Sequence, residues 1–283
     1  MMKKIKYLLI IITIGFFSNC DIVEPPYIEE NNYTPQQDSV VRKVLLEEFT
    51  GIKCPNCPEA TVVAHDLKAY YGEKLILATI HAGWFATPDA SGNYTDDLRS
   101  SAGEDLHTFF GIAGNPIGMI NRHEYSGNKL QTHGDWSSCI NQLIDESIIA
   151  FIKIGNTWNS IDKTVAIDIE TEFYQTDANT YNLCVFLLED SIITWQQNDN
   201  ASVGTTPDIE NYVHMHVLRD AVNSTWGDTI VNGGASVGLI SNKQYIYNFN
   251  SHPDFIPGNC SIIAFVYDIS TKEIVQAQEK KIF

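Results

Sequence analysis

Apolar and polar positions change rhythm along this chain. Val41 to Phe49, with the apolar residues Val44, Leu45, Leu46 and Phe49, reads as a buried strand. From Pro55 to Tyr71 the spacing becomes helical, with Ala60, Val63, Ala64, Leu67 and Tyr70 or Tyr71 on one face and Gly72 as a stop. Lys74 to His81 reads as a second buried strand, and residues 82–95, rich in Gly, Ala, Asp and Asn, read as a loop. Asp96 to Phe110 has helical composition, Ile117 to Asn121 is a short strand, and His123 to Asn128 is a turn. Asp135 to Ser147 places Trp136, Cys139, Ile140, Leu143 and Ile144 on one side of a further helix. Strands alternating with helices predict an α/β unit over residues 40–148.

After residue 149 the period shortens to two. Val165–Phe173 alternates apolar and polar residues, and so do stretches of Tyr181–Leu188, Tyr245–Phe249, Cys260–Tyr267 and Glu273–Ile282, as half-buried strands do. The expectation for residues 149–283 is an all-β domain of the sandwich or Ig-like kind. Residues 190–240 interrupt it as an insertion, with a short helical or irregular piece around Tyr212–Val222. No internal repeat is visible.

The N-terminal residues stand apart from this pattern. Lys3, Lys4 and Lys6 precede an apolar stretch, Tyr7 to Phe17, that is short for a membrane span. It ends in Phe17-Ser18-Asn19-Cys20, which resembles the lipobox of bacterial lipoproteins; a plain signal peptide beside a cysteine is the alternative. The resemblance implies a signal peptide over residues 1–19 and acylation of Cys20, with residues 20–39 as a polar tether. Removing residues 1–19 takes away three lysines and no acid, so a net charge of −17 becomes −20. An acidic chain without a basic stripe excludes nucleic acid as an expected partner.

The chemistry concentrates at Cys54-Pro55-Asn56-Cys57, between a predicted strand and a predicted helix. Unsatisfied N–H groups and partial positive charge at a helix start favour a thiolate at the first cysteine, and the spacing allows a small reducible disulfide. A static disulfide, or a binding protein built on a redox fold, is the competing reading. Half a zinc site lacks a second cysteine pair or matched histidines, so no metal and no cofactor is expected. Setting Cys20 aside leaves five cysteines, an odd number. Cys184 and Cys260 lie in apolar strand-like runs, where they either bridge or serve as small buried hydrophobes. His214 and His216 would face one way on a strand but lack a third ligand, which favours a structural role. Trp84 and Phe85 either line a groove beside the cysteines or pack the loop.

Glu48-Phe49-Thr50-Gly51-Ile52-Lys53-Cys54-Pro55-Asn56-Cys57 resembles the active-site segment of thioredoxin-like proteins. Glu48 stands where that family often buries a carboxylate, and Phe110-Gly111-Ile112-Ala113-Gly114-Asn115-Pro116-Ile117 resembles its cis-proline segment. The resemblance implies that Cys54 attacks as an exposed thiolate and that Cys57 resolves the mixed disulfide. It implies further that Glu48 exchanges a proton with Cys57 and that Pro116 faces the disulfide. Lys53 departs from the family's usual Trp; its ammonium favours the Cys54 thiolate while an ionised Glu48 opposes it, and the net sign stays open.

Together with Tyr212-Val213-His214-Met215-His216-Val217-Leu218-Arg219, these segments resemble the Omp28-related outer-membrane lipoproteins of Bacteroidetes. That resemblance implies a thioredoxin-like domain followed by a β-rich one, anchored by lipid in the cell envelope and facing the periplasm or the surface. Expected partners are the membrane, through Cys20, and envelope proteins carrying thiols or disulfides. The activity the resemblance leaves open is either thiol–disulfide exchange or surface binding and adhesion. Cys20→Ala should abolish incorporation of labelled palmitate; unchanged labelling refutes the anchor.

Overall fold

The strand β1 (Val44–Thr50) is buried at all seven positions, although its sequence VLLEEFT includes two acids. It pairs in parallel with β2 (Leu75–His81), equally buried, and antiparallel with β3 (Ile117–Ile120). These positions come from a computed structural model that describes residues 40–283. The expected signal peptide, Cys20 and the tether lie outside the described residues. Helix α1 (Cys57–Tyr71) begins later than the pattern predicted, because two turns, Cys54 N–H to Gly51 O and Cys57 N–H to Cys54 O, use up the preceding residues. It stops at Gly72, whose φ of 59° needs no Cβ penalty. Helix α2 (Ser101–Phe109) starts where the Ser100 hydroxyl accepts from Gly103 N–H at 3.1 Å, so residues 87–100 remain irregular rather than helical. Helix α3 (Trp136–Leu143) follows β3.

The remaining chain is strand-rich. β4 (Ala150–Asn159), β5 (Thr164–Phe173) and β11 (Ile240–Asn248) form a three-stranded antiparallel sheet in the order β11-β5-β4. β7 (Ile192–Gln197) and β8 (Asp208–His214) form a separate hairpin. β6 (Tyr181–Glu189), β9 (Val217–Ala221), β10 (Asp228–Val231), β12 (Cys260–Asp268) and β13 (Ile274–Lys281) join the sheet of β1 to β3. Its main order is β13-β12-β6-β9-β2-β1-β3, with β10 on β6.

Two expectations change here. The short helical or irregular piece expected at Tyr212–Val222 is the end of β8, a turn, and β9. β9 lies between β2 and β6, and its pairing rather than its local composition makes it a strand. The boundary expected between residues 148 and 149 runs through a shared sheet, and Val40–Phe283 is one compact unit.

The core explains why. On one face of β1 and β2, Val44, Leu46, Leu75 and Leu77 pack against Ala60 and Ala64 of α1 and Trp136 and Ile140 of α3. On the other face, Leu45, Phe49, Ile76 and Ile80 join Leu106 of α2 and continue into Phe186, Ile263 and Phe265 of β6 and β12. Leu183, Val185 and Leu187 of β6 meet Ile152 of β4 and Ile167 of β5, so β6 is buried on both sides. Among the described residues no helix is long and apolar enough to cross a membrane.

Charge sits inside this core. Glu47 of β1 accepts two hydrogen bonds from the Arg122 guanidinium at 2.7 and 2.6 Å, and neither side chain is more than 1% exposed. Arg122 also lies over the rings of Phe265 and Tyr267 on β12, at 5.1 and 5.8 Å. Next to it, Asn121 exchanges bonds with Leu45 and accepts from Ile274 N–H of β13 at 2.8 Å. Removing one partner of such a pair leaves an uncompensated buried charge. Arg122→Met should therefore cost about 3–5 kcal/mol in urea unfolding. The double variant Glu47→Leu/Arg122→Met should recover most of that loss; a double variant no more stable than the single one contradicts the pair as the cause.

Candidate functional site

Cys54 and Cys57 form a disulfide, with Cα atoms 5.4 Å apart, where β1 hands over to α1. Cys57, not Cys54, is the first residue of the helix. Gly51 permits the loop between them to pass against the neighbouring turn. A Cβ there would stand 2.4 Å from the Phe85 carbonyl carbon, and Lys53 N–H donates to Phe85 O at 3.0 Å. The expected exposed thiol position at Cys54 is corrected: Cys54 has 0% and Cys57 1% of its surface accessible.

The β7–β8 hairpin lies against the cysteine loop. Gln196, itself 2% exposed, donates its amide N–H groups to Cys54 O at 2.9 Å and Gly51 O at 3.3 Å. Backbone bonds run from Gln197 N–H to Ile52 O at 2.9 Å and from Asp199 N–H to Pro55 O at 3.0 Å. Gly51 O and Cys54 O already accept from Cys54 N–H and Cys57 N–H, so Gln196 adds a second bond to each, while Ile52 O and Pro55 O take theirs from the hairpin.

Glu48 behaves as the spacing suggested in one respect. It is 3% exposed, and Thr61 of α1 donates to its Oε1 at 2.9 Å. Burial raises its pKa from the ordinary value near 4.5 to about 7, and the Thr61 bond opposes the shift. Thr61 and Cys57 line one narrow cavity, closed on its far side by Gln196, Tyr212 and His214 from the hairpin. Burial likewise pushes the Tyr212 phenol up to about 12. The Asn115–Pro116 peptide is cis, and the Asn115 side chain donates to Thr50 O at 3.0 Å at the end of β1.

Lys53 does not act on Cys54 as a free ammonium. Its Nζ is 2.7 Å from Asp89 Oδ1 and 5.4 Å from the Trp84 ring centre. Trp84 remains 73% exposed. The two histidines expected on one strand face are separated. β8 ends at His214, and His216 adopts φ 55° in the following turn. His214 meets His81 with ring centres 5.1 Å apart, whereas His216 meets His65 at 6.0 Å. Burial lowers the pKa of His81 well below the usual range and that of His214 to about 4, so both are neutral near pH 7. Among the described residues no group of side chains is arranged to hold a metal ion.

Cys184 and Cys260 are free and buried, as is Cys139. In the β6–β12 pairing Cys184 stands opposite Phe265 and Cys260 opposite Glu189, so register keeps the two sulfurs apart. Gln196 and Thr61 escaped the sequence reading, and Tyr212 entered it as the start of a family segment. Nothing local marks a glutamine in a polar stretch as the partner of carbonyls some 140 positions earlier. Arg122 carried a faint signal, a cation two residues past the apolar strand Ile117–Ile120.

The family model for outer membrane protein Omp28 matches residues 104–283, more than half of the chain. HBP35 of Porphyromonas gingivalis shares the fold, with a TM-score of 0.61 at 16% identity over 85% of this chain and 75% of that one. A protein of Agrobacterium tumefaciens aligns at 15% identity over 86% of this chain and 96% of its own, TM-score 0.48. A domain of the outer membrane lipoprotein Omp28 from Porphyromonas gingivalis aligns at 22% identity over 48% of this chain and 90% of that domain, TM-score 0.32. No curated protein matches. The chain belongs to the Omp28 family of outer membrane lipoproteins, and its place is the outer membrane of the cell envelope. The matched residues include Pro116 and the β7–β8 hairpin and begin after Cys57.

The Glu48 shift has a measurable consequence. Below about pH 4.5 the carboxyl is protonated both folded and unfolded, and its burial carries no charge penalty. As pH rises toward 7 the unfolded chain ionises first, so stability falls, by about 3 kcal/mol in all. Glu48→Gln keeps an acceptor for Thr61 and should remove that decline, making the protein more stable at pH 8 in urea titrations. Parallel pH profiles for variant and wild type contradict the assignment.

Proposed function

We propose that this outer membrane lipoprotein carries a thiol–disulfide exchange centre at Cys54 and Cys57. It would be tethered through Cys20, with thioredoxin-like elements around the cysteines that share one sheet with the β-rich elements of the later chain. The observation that carries the reading is Glu48, a buried carboxyl with a pKa near 7 whose hydrogen-bond partner Thr61 shares a cavity with Cys57. A static disulfide has no use for such a group, whereas a resolving thiol needs a proton acceptor close to neutrality.

The exchange follows from these positions. In the reduced protein the Cys54 thiolate attacks one sulfur of a substrate disulfide, and the other substrate sulfur leaves as a thiolate. Cys57 gives its proton to Glu48 and attacks Cys54 Sγ. The Cys54–Cys57 bond forms, the mixed disulfide breaks, and the second substrate sulfur leaves. Two electrons pass from protein to substrate; run backward, the same steps oxidise a substrate dithiol.

The second reading is a surface binding or adhesion protein whose disulfide is static. The 0% exposure of Cys54 favours it. Redox equilibration separates the two. An exchange centre should equilibrate above about −300 mV. Cys57→Ser should then accumulate mixed disulfides at Cys54 with envelope proteins. A potential below that range and no trapped partner sink the exchange reading.

A further inference from the structure

We propose that the β7–β8 hairpin is a hinged cover over the disulfide, with Gln196 as its latch, and that Cys54 is attacked only while the hairpin is lifted. The inference rests on the exchange reading for its biological use. The hairpin pairs with neither large sheet and forms a two-stranded sheet of its own. Beyond the apolar contact of Ile192 at its neck, its hold on the cysteine loop is polar: the Gln196 amide on Cys54 O and Gly51 O, and the backbone N–H groups of Gln197 and Asp199 on Ile52 O and Pro55 O. Water replaces bonds of this kind at small net cost, so such a cover detaches more readily than an interdigitated apolar one. Two further polar ties hold it from the segment before α2, Thr194 on Asp96 and Tyr94 on Asp208.

The neck of the hairpin is built differently from its tip. Ser191, just before β7, has φ 63°, and His216, just after β8 and Met215, has φ 55°. Non-glycine residues in the left-handed region at both ends concentrate the bend there. The two ends are fastened together: His216 N–H donates to Asp190 Oδ1 at 2.7 Å, and Ser191 N–H points at Met215 Sδ at 3.3 Å. Ile192 rests on an apolar foot of Ile52, Leu98 and Val217. A fixed neck with polar attachments farther out describes a flap.

Reduction shows what the flap controls. A reductant thiolate must reach Cys54 Sγ; the Cys54–Cys57 bond then breaks, and Cys57 leaves as a thiolate that takes up a proton. A second reductant thiolate releases Cys54 and leaves the reductant as a disulfide. The test follows reduction of the purified full chain by excess dithiothreitol, stopped by alkylation and read by mass. The wild-type rate should level off as dithiothreitol rises, at the rate of hairpin opening. Gln196→Ala should raise that plateau about tenfold. Tyr94→Phe, which touches the hairpin through Asp208, should raise it to a smaller degree. A rate that stays proportional to dithiothreitol with one constant for all three proteins overturns the cover. So does a plateau equal to the rate of global unfolding measured in urea. Failure of the exchange reading looks different: it appears as a low potential without trapped partners and leaves these rates unchanged.

Discussion

Two adjacent acids on β1 set the terms for the rest of the molecule. Successive side chains on a strand point to opposite faces, so Glu47 and Glu48 enter different cores. Glu47 falls on the face that carries Leu45 and Phe49, and there it meets Arg122. Glu48 falls on the face of α1, where Thr61 is its hydrogen-bond partner. A buried carboxylate without a countercharge is costly, and the two positions resolve that cost in opposite ways. Glu47 is neutralised by a guanidinium. Glu48 stays poised to bind a proton. A one-residue slip of β1 would exchange these fates, so its register against β2 and β3 must be held.

Arg122 and Asn121 do that holding. Asn121 fixes Leu45 on β1 and accepts from Ile274 on β13, while the Arg122 guanidinium lies between Glu47 and the aromatic rings of β12. Strands from both ends of the chain thus converge on one dipeptide. That convergence, with β9 inserted between β2 and β6, is the physical reason why the change of hydrophobic period near residue 149 is not a domain boundary. Hydrophobic period reports local structure; whether two runs of elements share a sheet depends on edge pairing, which leaves no periodic trace.

The same distinction sorts what was legible in the sequence. β1, α1 and β2 were readable because their burial is continuous or helically spaced, and Glu48 and Pro116 were readable through a family pattern. The strands of residues 192–231 were not, since polar runs such as Gln196-Gln197-Asn198-Asp199 owe their conformation to the loop they cover. Spacing alone paired His214 with His216, and one left-handed residue undid the pairing. The exposure of Cys54 was misjudged for a related reason: a local motif tells where a helix starts and nothing about what a distant segment lays over it.

The cover and the buried acid bear on each other. Thr61, the hydrogen-bond partner of Glu48, lines the cavity beside Cys57, so opening that cavity would bring water next to Glu48 and return its pKa toward the ordinary carboxylate range. Tyr212 and His214 on the hairpin close that cavity, so the position of the hairpin and the proton affinity of Glu48 are linked. With the hairpin down, Glu48 holds a proton up to about pH 7 and the disulfide is out of reach. If it lifts as proposed, water would enter, Glu48 would become the stronger acid, and its proton would be available to a departing Cys57 thiolate. Access and protonation would then change together through one motion, a coupling that neither a static disulfide nor an uncovered one would give.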